Sequence, residues 1–188
     1  MIVLGIDPGL TRCGYAVVEA RGGRIVVPLA LGVIRTAPST PLPYRLAELK
    51  TELVALITQY RPDAVAVEQV FFQTNVRTAM SVGQASGLAL AEAAAAGCRV
   101  EQYTPNQVKN AVAGWGGADK AQVQKMVQAR LGLTVVPEPP DAADAAALAL
   151  CHLAMAPMAA QVAAQQARQS AQVAAAQAAT AATAPTGR

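Results

Sequence analysis

Large rings are scarce in this chain: two Phe, four Tyr and one Trp among 188 residues. With few aromatics and abundant Ala, the helices must be thin and lie close to their neighbours. Cysteine is limited to Cys13, Cys98 and Cys151, an odd and widely spaced set. That excludes a disulfide framework and a Cys-rich zinc centre, and it makes a reducing cytoplasm the expected setting, with the thiols packed inside. No run reaches the roughly 18 to 20 apolar residues needed to cross a bilayer. No basic stretch precedes the first apolar run, which ends at Asp7, so that run is expected to be a strand and not a signal peptide. One-sided charge is missing too. The formal net charge is +3, with 15 basic and 12 acidic residues, and Arg168 and Arg188 lie near the end. The body before residue 157 is nearly neutral, so binding of nucleic acid would need positive charge gathered locally.

What is present is a sequence of alternating strand and helix signals. Residues 2–7 and 13–20 read as strands joined at Pro8-Gly9, and 24–35 as a third strand after Arg21-Gly22-Gly23. Leu46, Leu49, Leu53, Leu56, Ile57 and Tyr60 recur at helical spacing, which predicts a helix over 43–60 ended by Pro62. Residues 63–70 form a short apolar run suited to a strand buried on both faces. Further helices are expected at 76–96 with Gly97 as C-cap, at 105–113 with Pro105 at its first position, at 119–131 and at 141–156. A fifth strand is expected at 99–103. This order gives an α/β fold, a mixed sheet covered by helices. Residues 1–156 form the expected domain. The Ala/Gln-rich segment 157–188 has too little apolar variety for a core and is expected to be disordered or a fraying helix, dispensable for chemistry.

Four carboxylates stand out. Asp7 ends the run Ile2-Val3-Leu4-Gly5-Ile6; alone, Asp7-Pro8-Gly9 is ordinary turn chemistry, but ligands gather at strand ends of open α/β sheets. Glu68 ends Ala64-Val65-Ala66-Val67, where an unpaired buried carboxylate would cost several kcal/mol. The plainer alternatives are an edge position facing water or an ion pair with Arg. Asp141 and Asp144 open the last helix, where helix capping alone would account for them. Their spacing nevertheless puts both on one face. The surrounding Ala142, Ala143, Ala145, Ala146 and Ala147 would let this helix approach a sheet edge. If the four converge, hard oxygen ligands of this kind select magnesium or manganese over zinc, and two such ions about 4 Å apart cleave phosphodiesters.

Gly5-Ile6-Asp7-Pro8-Gly9 with Gly14, Val67-Glu68-Gln69-Val70-Phe71 and Asp141-Ala142-Ala143-Asp144-Ala145 resemble, in order and spacing, segments of the RuvC family of Holliday-junction resolvases. Gly83-Gln84-Ala85, Gln107-Val108-Lys109 and Lys120-Ala121-Gln122-Val123 add to the likeness, which spans residues 1 to about 156. The resemblance implies a ribonuclease H-like fold with a five-stranded mixed sheet flanked by helices. It also implies a homodimeric, magnesium-dependent endonuclease that nicks two opposing strands of a four-way DNA junction in recombination and repair, leaving 5′-phosphates and 3′-hydroxyls. By the same resemblance Asp7, Glu68, Asp141 and Asp144 hold two Mg2+ ions, with Mn2+ as a substitute. The implied partners are a junction-binding protein and a hexameric branch-migration motor, with no membrane. Some relatives carry His where Asp141 stands.

Lys109 and Lys120 match basic positions near the scissile phosphate, and Phe71 an aromatic that stacks on a base. Lys125 and Arg130 extend the local basic surface of 105–131. Without the carboxylates, a solvated helix face would explain these cations equally well, and core packing would explain Phe71 and Phe72. Ser81, Gly83, Ala85, Ser86 and Gly87 suit either the family's dimer interface or packing on the chain's own sheet. His152, the only His, is expected in a core or capping role, and Trp115 as a loop anchor or a DNA contact. Three other readings compete. A non-catalytic junction-binding module has no support in the sequence, because all four carboxylates are present. An actin-like phosphotransferase or ATPase shares the leading strand, Asp and Gly turn but generally needs a second such domain. A ribonuclease H-like nuclease acting on another branched or RNA-containing substrate is separated only by the Lys109 and Lys120 segments.

Overall fold

The computed structural model describes residues 1–22, 25–69, 76–156, 165 and 168–170. The chain divides into two compact units, Met1–Ala154 and Met155–Arg188. The described residues of the second unit are helical.

In the first unit, strands β1 (Ile2–Asp7), β2 (Arg12–Ala20) and β3 (Val26–Arg35) form an antiparallel meander with Asp7 opposite Gly14. Helix α1 (Leu42–Tyr60) returns the chain to β4 (Ala64–Glu68), parallel to β1, and helix α2 (Val76–Ala95) leads to β5 (Arg99–Tyr103), parallel to β4. The sheet order is β3-β2-β1-β4-β5, so β1 is central. Helices α3 (Pro105–Ala113), α4 (Lys120–Arg130) and α5 (140–156) follow. This is the five-stranded mixed sheet flanked by helices that the pattern predicts, with each strand and helix within two residues of its expected bounds where described.

Local chemistry sets the helix ends. Arg61 precedes Pro62, which disfavours the right-handed helical region for it. It turns to φ 45° and its N–H caps the Ile57 carbonyl. Thr104 and Asp119 each form a reciprocal capping box, with Gln107 and Gln122 respectively, fixing where α3 and α4 begin.

The two faces of the sheet are built differently. Leu4, Ile6, Val65 and Val67 pack against Leu49, Leu53 and Ile57 of α1 and Ala85, Ala89 and Ala93 of α2. Leu49 and Leu53 are fully buried, each contributing about 1.5–3 kcal/mol. On the other face lie Gly5 and, by strand alternation, Asp7. There α5 rests directly on the sheet: a Cβ at Gly5 would come within 2.0 Å of the Ala145 carbonyl oxygen, and one at Gly14 within 2.1 Å of that of Asp141. The alanines at 142, 143, 145, 146 and 147 are all buried. Helix α5 therefore crosses the centre of the sheet, over β1 and β2, and not its edge as the sequence pattern suggested. Glycine on the strands permits that approach as much as alanine on the helix.

One smaller expectation is corrected. Cys13 and Cys151 are buried, but Cys98 is half-buried, because it follows the Gly97 turn between α2 and β5. On α2, Ala85 and Ser86 face the chain's own core while Gly87 is exposed. His152 is a core residue, 1% exposed, with Nδ1 2.8 Å from the Tyr103 hydroxyl.

Candidate active site

Asp7 and Glu68 end the neighbouring parallel strands β1 and β4, whose register pairs Ile6 with Val67. The two carboxylates therefore emerge side by side at the C-terminal edge of the sheet. Asp144 is lowered toward them from the second turn of α5, because Gly5 and Gly14 let that helix settle. Asp7, Glu68 and Asp144 line one cleft of about 220 Å³. Lys109 of α3 and Lys120 of α4 complete its polar wall, and Val108, Val123 and Leu148 form its apolar side.

The cleft concentrates negative charge where water is scarce. Burial, followed by the charges of Glu68, Asp144 and Asp141, raises Asp7 from 3.8 to about 7, with Lys120 pulling the other way. Burial and Asp144 likewise raise Glu68, against the hydrogen bond it shares with Asp7. Desolvation and like charge both disfavour ionisation, so these carboxylates call for a cation. Lys120 supplies part of one: its Nζ donates to Asp144 Oδ2 at 2.6 Å. That hydrogen bond, together with the surrounding acids, holds the Lys120 ammonium above its usual pKa despite some burial.

Asp141 lies beside this cluster but does not line the cleft. Arg12 donates to its Oδ2 from Nε, at 3.0 Å, and from Nη2. Burial alone would raise Asp141, but the Arg12 hydrogen bond and charge outweigh it and keep the carboxyl below its ordinary pKa. Arg12 was not singled out by sequence pattern, being 129 positions away from Asp141. The signal was there only in strand alternation: Arg12 shares a face of β2 with Gly14, whose α-carbon abuts the Asp141 backbone.

Of the other expected site residues, Lys125 is exposed and does not line the cleft. It lies five residues beyond Lys120 on α4, which turns it away from that side chain's direction. Phe71 lies outside the described residues. Trp115 is 55% exposed, and its ring lies over Gly117.

The donor set fits a hard divalent cation: oxygen ligands only, two of them half-buried and destabilised as anions. Among the described residues no three acidic side chains stand in a finished cage; Lys120 and Arg12 draw Asp144 and Asp141 toward themselves.

Relatives carry the same architecture. The profile of the family described as crossover junction endodeoxyribonuclease RuvC matches residues 3–152. A crossover junction endodeoxyribonuclease RuvC of Salinispora arenicola is 54% identical over 141 residues, covering 75% of this chain and 81% of that one. That of Heliobacterium modesticaldum is 50% identical, covering 75% and 86%. Among solved structures, Thermus thermophilus RuvC in complex with Holliday junction substrate superposes with a TM-score of 0.81 at 41% identity, over 85% of this chain and 96% of that one. The yeast mitochondrial Holliday junction resolvase Ydc2, only 15% identical, shares the fold with a TM-score of 0.62. With a ribonuclease H-like sheet, an acidic cleft at its strand ends and a profile match spanning nearly all of its first compact unit, this chain belongs to the crossover junction endodeoxyribonuclease RuvC family.

Proposed function

We propose that this chain cuts four-way DNA junctions by metal-dependent hydrolysis at the Asp7 cleft, as one half of a homodimer. The observation that carries the reading is the meeting of Asp7, Glu68 and Asp144 in one cleft walled by Lys109 and Lys120. An acidic floor with a basic rim suits a phosphodiester bound through a cation.

In this reading Asp7, Glu68, Asp141 and Asp144 hold Mg2+, with Mn2+ able to replace it. When bound, the ions lower the pKa of a water and offset charge on the leaving oxygen. The chain's own residues do the rest. A bound cation would relieve the crowding that raises Asp7 and Glu68 and would favour their ionised forms, so metal binding and deprotonation are coupled. Lys109 lies across the cleft from α5 and places a compact charge beside the phosphate. Lys120 is suited to exchange Asp144 for a phosphate oxygen. A water oxygen attacks phosphorus and the bond to the 3′ oxygen breaks, which leaves a 5′-phosphate and a 3′-hydroxyl. The apolar side of Val108, Val123 and Leu148 limits water and strengthens each of these charges.

A junction of near two-fold symmetry calls for two such sites. Met80 and Gly87 are exposed one above the other on α2, a face suited to a second copy. The same reading places the chain in recombination and repair, beside a junction-binding protein and a hexameric branch-migration motor, and in the cytoplasm. Among the described residues no helix is long and apolar enough to cross a membrane.

The test is cleavage of a synthetic mobile four-way junction, with linear duplex and RNA–DNA hybrid as controls. Paired nicks confined to the junction and dependent on Mg2+ are expected. The Asp7→Asn variant should bind the junction while its cutting falls at least a hundredfold, the scale of losing a major transition-state stabiliser. Full cutting by that variant, or preference for the hybrid, would overturn the reading.

A further inference from the structure

A second groove, of about 440 Å³, lies between the β1–β2 turn, the start of α1 and the middle of α2. It adjoins Asp7 in sequence through the turn that follows that residue, and it is lined by Gly9, Thr11, Arg12, Arg45 and Ser81. We propose that this groove is a second phosphate-binding site, in which Arg45, with Arg12 beside it, grips a backbone phosphodiester of the DNA being cut. The proposal rests on the junction-cutting function above and extends it to a part of the surface away from Lys109 and Lys120.

Three observations carry it. First, Arg45 is built in place by neutral groups. Its Nε donates to Thr36 Oγ1 at 2.9 Å and its Nη2 to Thr11 Oγ1 at 2.7 Å. Thr36 is itself buried and donates to the Leu10 carbonyl. Hydroxyls orient a guanidinium without neutralising it, and among the described residues no carboxylate pairs with Arg45. Its charge and its remaining donors are left for an anion, and the planar fork matches phosphate.

Second, Arg12 lines the same groove. Its carboxylate partner among the described residues, Asp141, is claimed by the catalytic cluster in the function proposed above. Two guanidinium groups on one groove repel each other, and an anion between them relieves that repulsion.

Third, Arg45 sits in the first turn of α1, a 19-residue helix with no acidic residue in that turn and no side-chain cap. A cation at the positive end of a helix opposes its stability. An anion at that end would be favoured by the helix amides and by Arg45 together. The hydrogen bonds to Thr36 and Thr11 hold the side chain there, and a phosphate would offset the unfavourable helix-end charge.

The experiment compares the full-length wild type with Arg45→Gln and Arg45→Lys. Junction affinity is measured across a salt series in EDTA, where nothing should be cut, and each protein's melting temperature is recorded. For Arg45→Gln, affinity near 0.1 M salt is expected to fall about tenfold, the scale of one charged hydrogen-bonding group. The slope of log affinity against log salt should shrink by about one, the signature of one lost phosphate contact. Arg45→Lys should keep the slope and recover part of the affinity. Unchanged affinity and slope in Arg45→Gln, beside a wild type that binds and nicks junctions, overturns the groove while leaving the function standing. So does weaker binding at an unchanged slope with a lowered melting temperature. A wild type that neither binds nor nicks junctions overturns both.

Discussion

Asp7 illustrates how a carboxylate crowded by other acids burdens the fold that holds it. Its folded pKa of about 7 stands above the ordinary 3.8 because it is buried among other acids. Between those two values the folded chain keeps a proton that the unfolded chain has released. The stability contributed by this carboxyl is therefore complete below pH 4 and is lost as pH rises through 7. Asn at this position is neutral at every pH and so carries no such loss. Metal-free Asp7→Asn should match the wild type near pH 4 and melt several degrees higher at pH 8, with Mg2+ narrowing that gap by binding the wild type alone. Melting curves in EDTA at the two pH values check this, and an equal gap at both would rule out the stated cause. Strand-end position and company made Asp7 and Glu68 legible from the sequence. Arg12 was not legible, because its meaning depends on which backbone lies above Gly14. Lys125 is exposed outside the cleft, because five residues along a helix turn a side chain away from the direction of Lys120.

At the scale of elements, the strands and helices were readable because hydrophobic spacing, prolines and capping residues agree along the chain. Where α5 lies was not readable. Its alanines showed that it approaches something closely, but Gly5 and Gly14 decide what, and glycine in a strand has several other uses. Both glycines meet carbonyl oxygens of α5 at distances that no Cβ tolerates. Gly14→Ala must push the Asp141 end of the helix off the sheet, and Gly5→Ala the next turn, at Ala145. Backbone groups cannot swing aside as a side chain can, so each should cost about 1–3 kcal/mol or more. Gly14→Ala should also move Asp141 and Asp144 away from Asp7. Cleavage is then expected to fall by more than the loss of stability explains, when measured at a temperature where the variant is fully folded. A variant that is destabilised but cuts normally would show that α5 sets stability without setting the site. The Tyr103–His152 hydrogen bond, which ties β5 to α5, does not involve either glycine and should persist.

For the molecule as a whole, what has to be intact is the first compact unit, Met1–Ala154, which contains the sheet, both grooves and the start of α5. We propose that the segment beyond Pro157 is dispensable for cutting. It carries two of the chain's 15 basic residues, Arg168 and Arg188, and none of its 12 acidic ones. Removing it therefore lowers the net charge from +3 to +1. A diffuse loss of this kind acts on long-range attraction to DNA, which salt screens over about 10 Å at 0.1 M, and not on contacts inside the cleft. A chain ending at residue 157 should nick a four-way junction at the wild-type positions, with a turnover rate within about twofold. Its association should slow slightly at low salt and be indistinguishable from wild type at physiological salt. Arg45→Gln, by contrast, is expected to change binding at both. Measuring nick positions and association rates for the two proteins across a salt series separates a charge that merely draws DNA in from one that holds it. Loss of nicking on truncation would place part of the working site in the second unit.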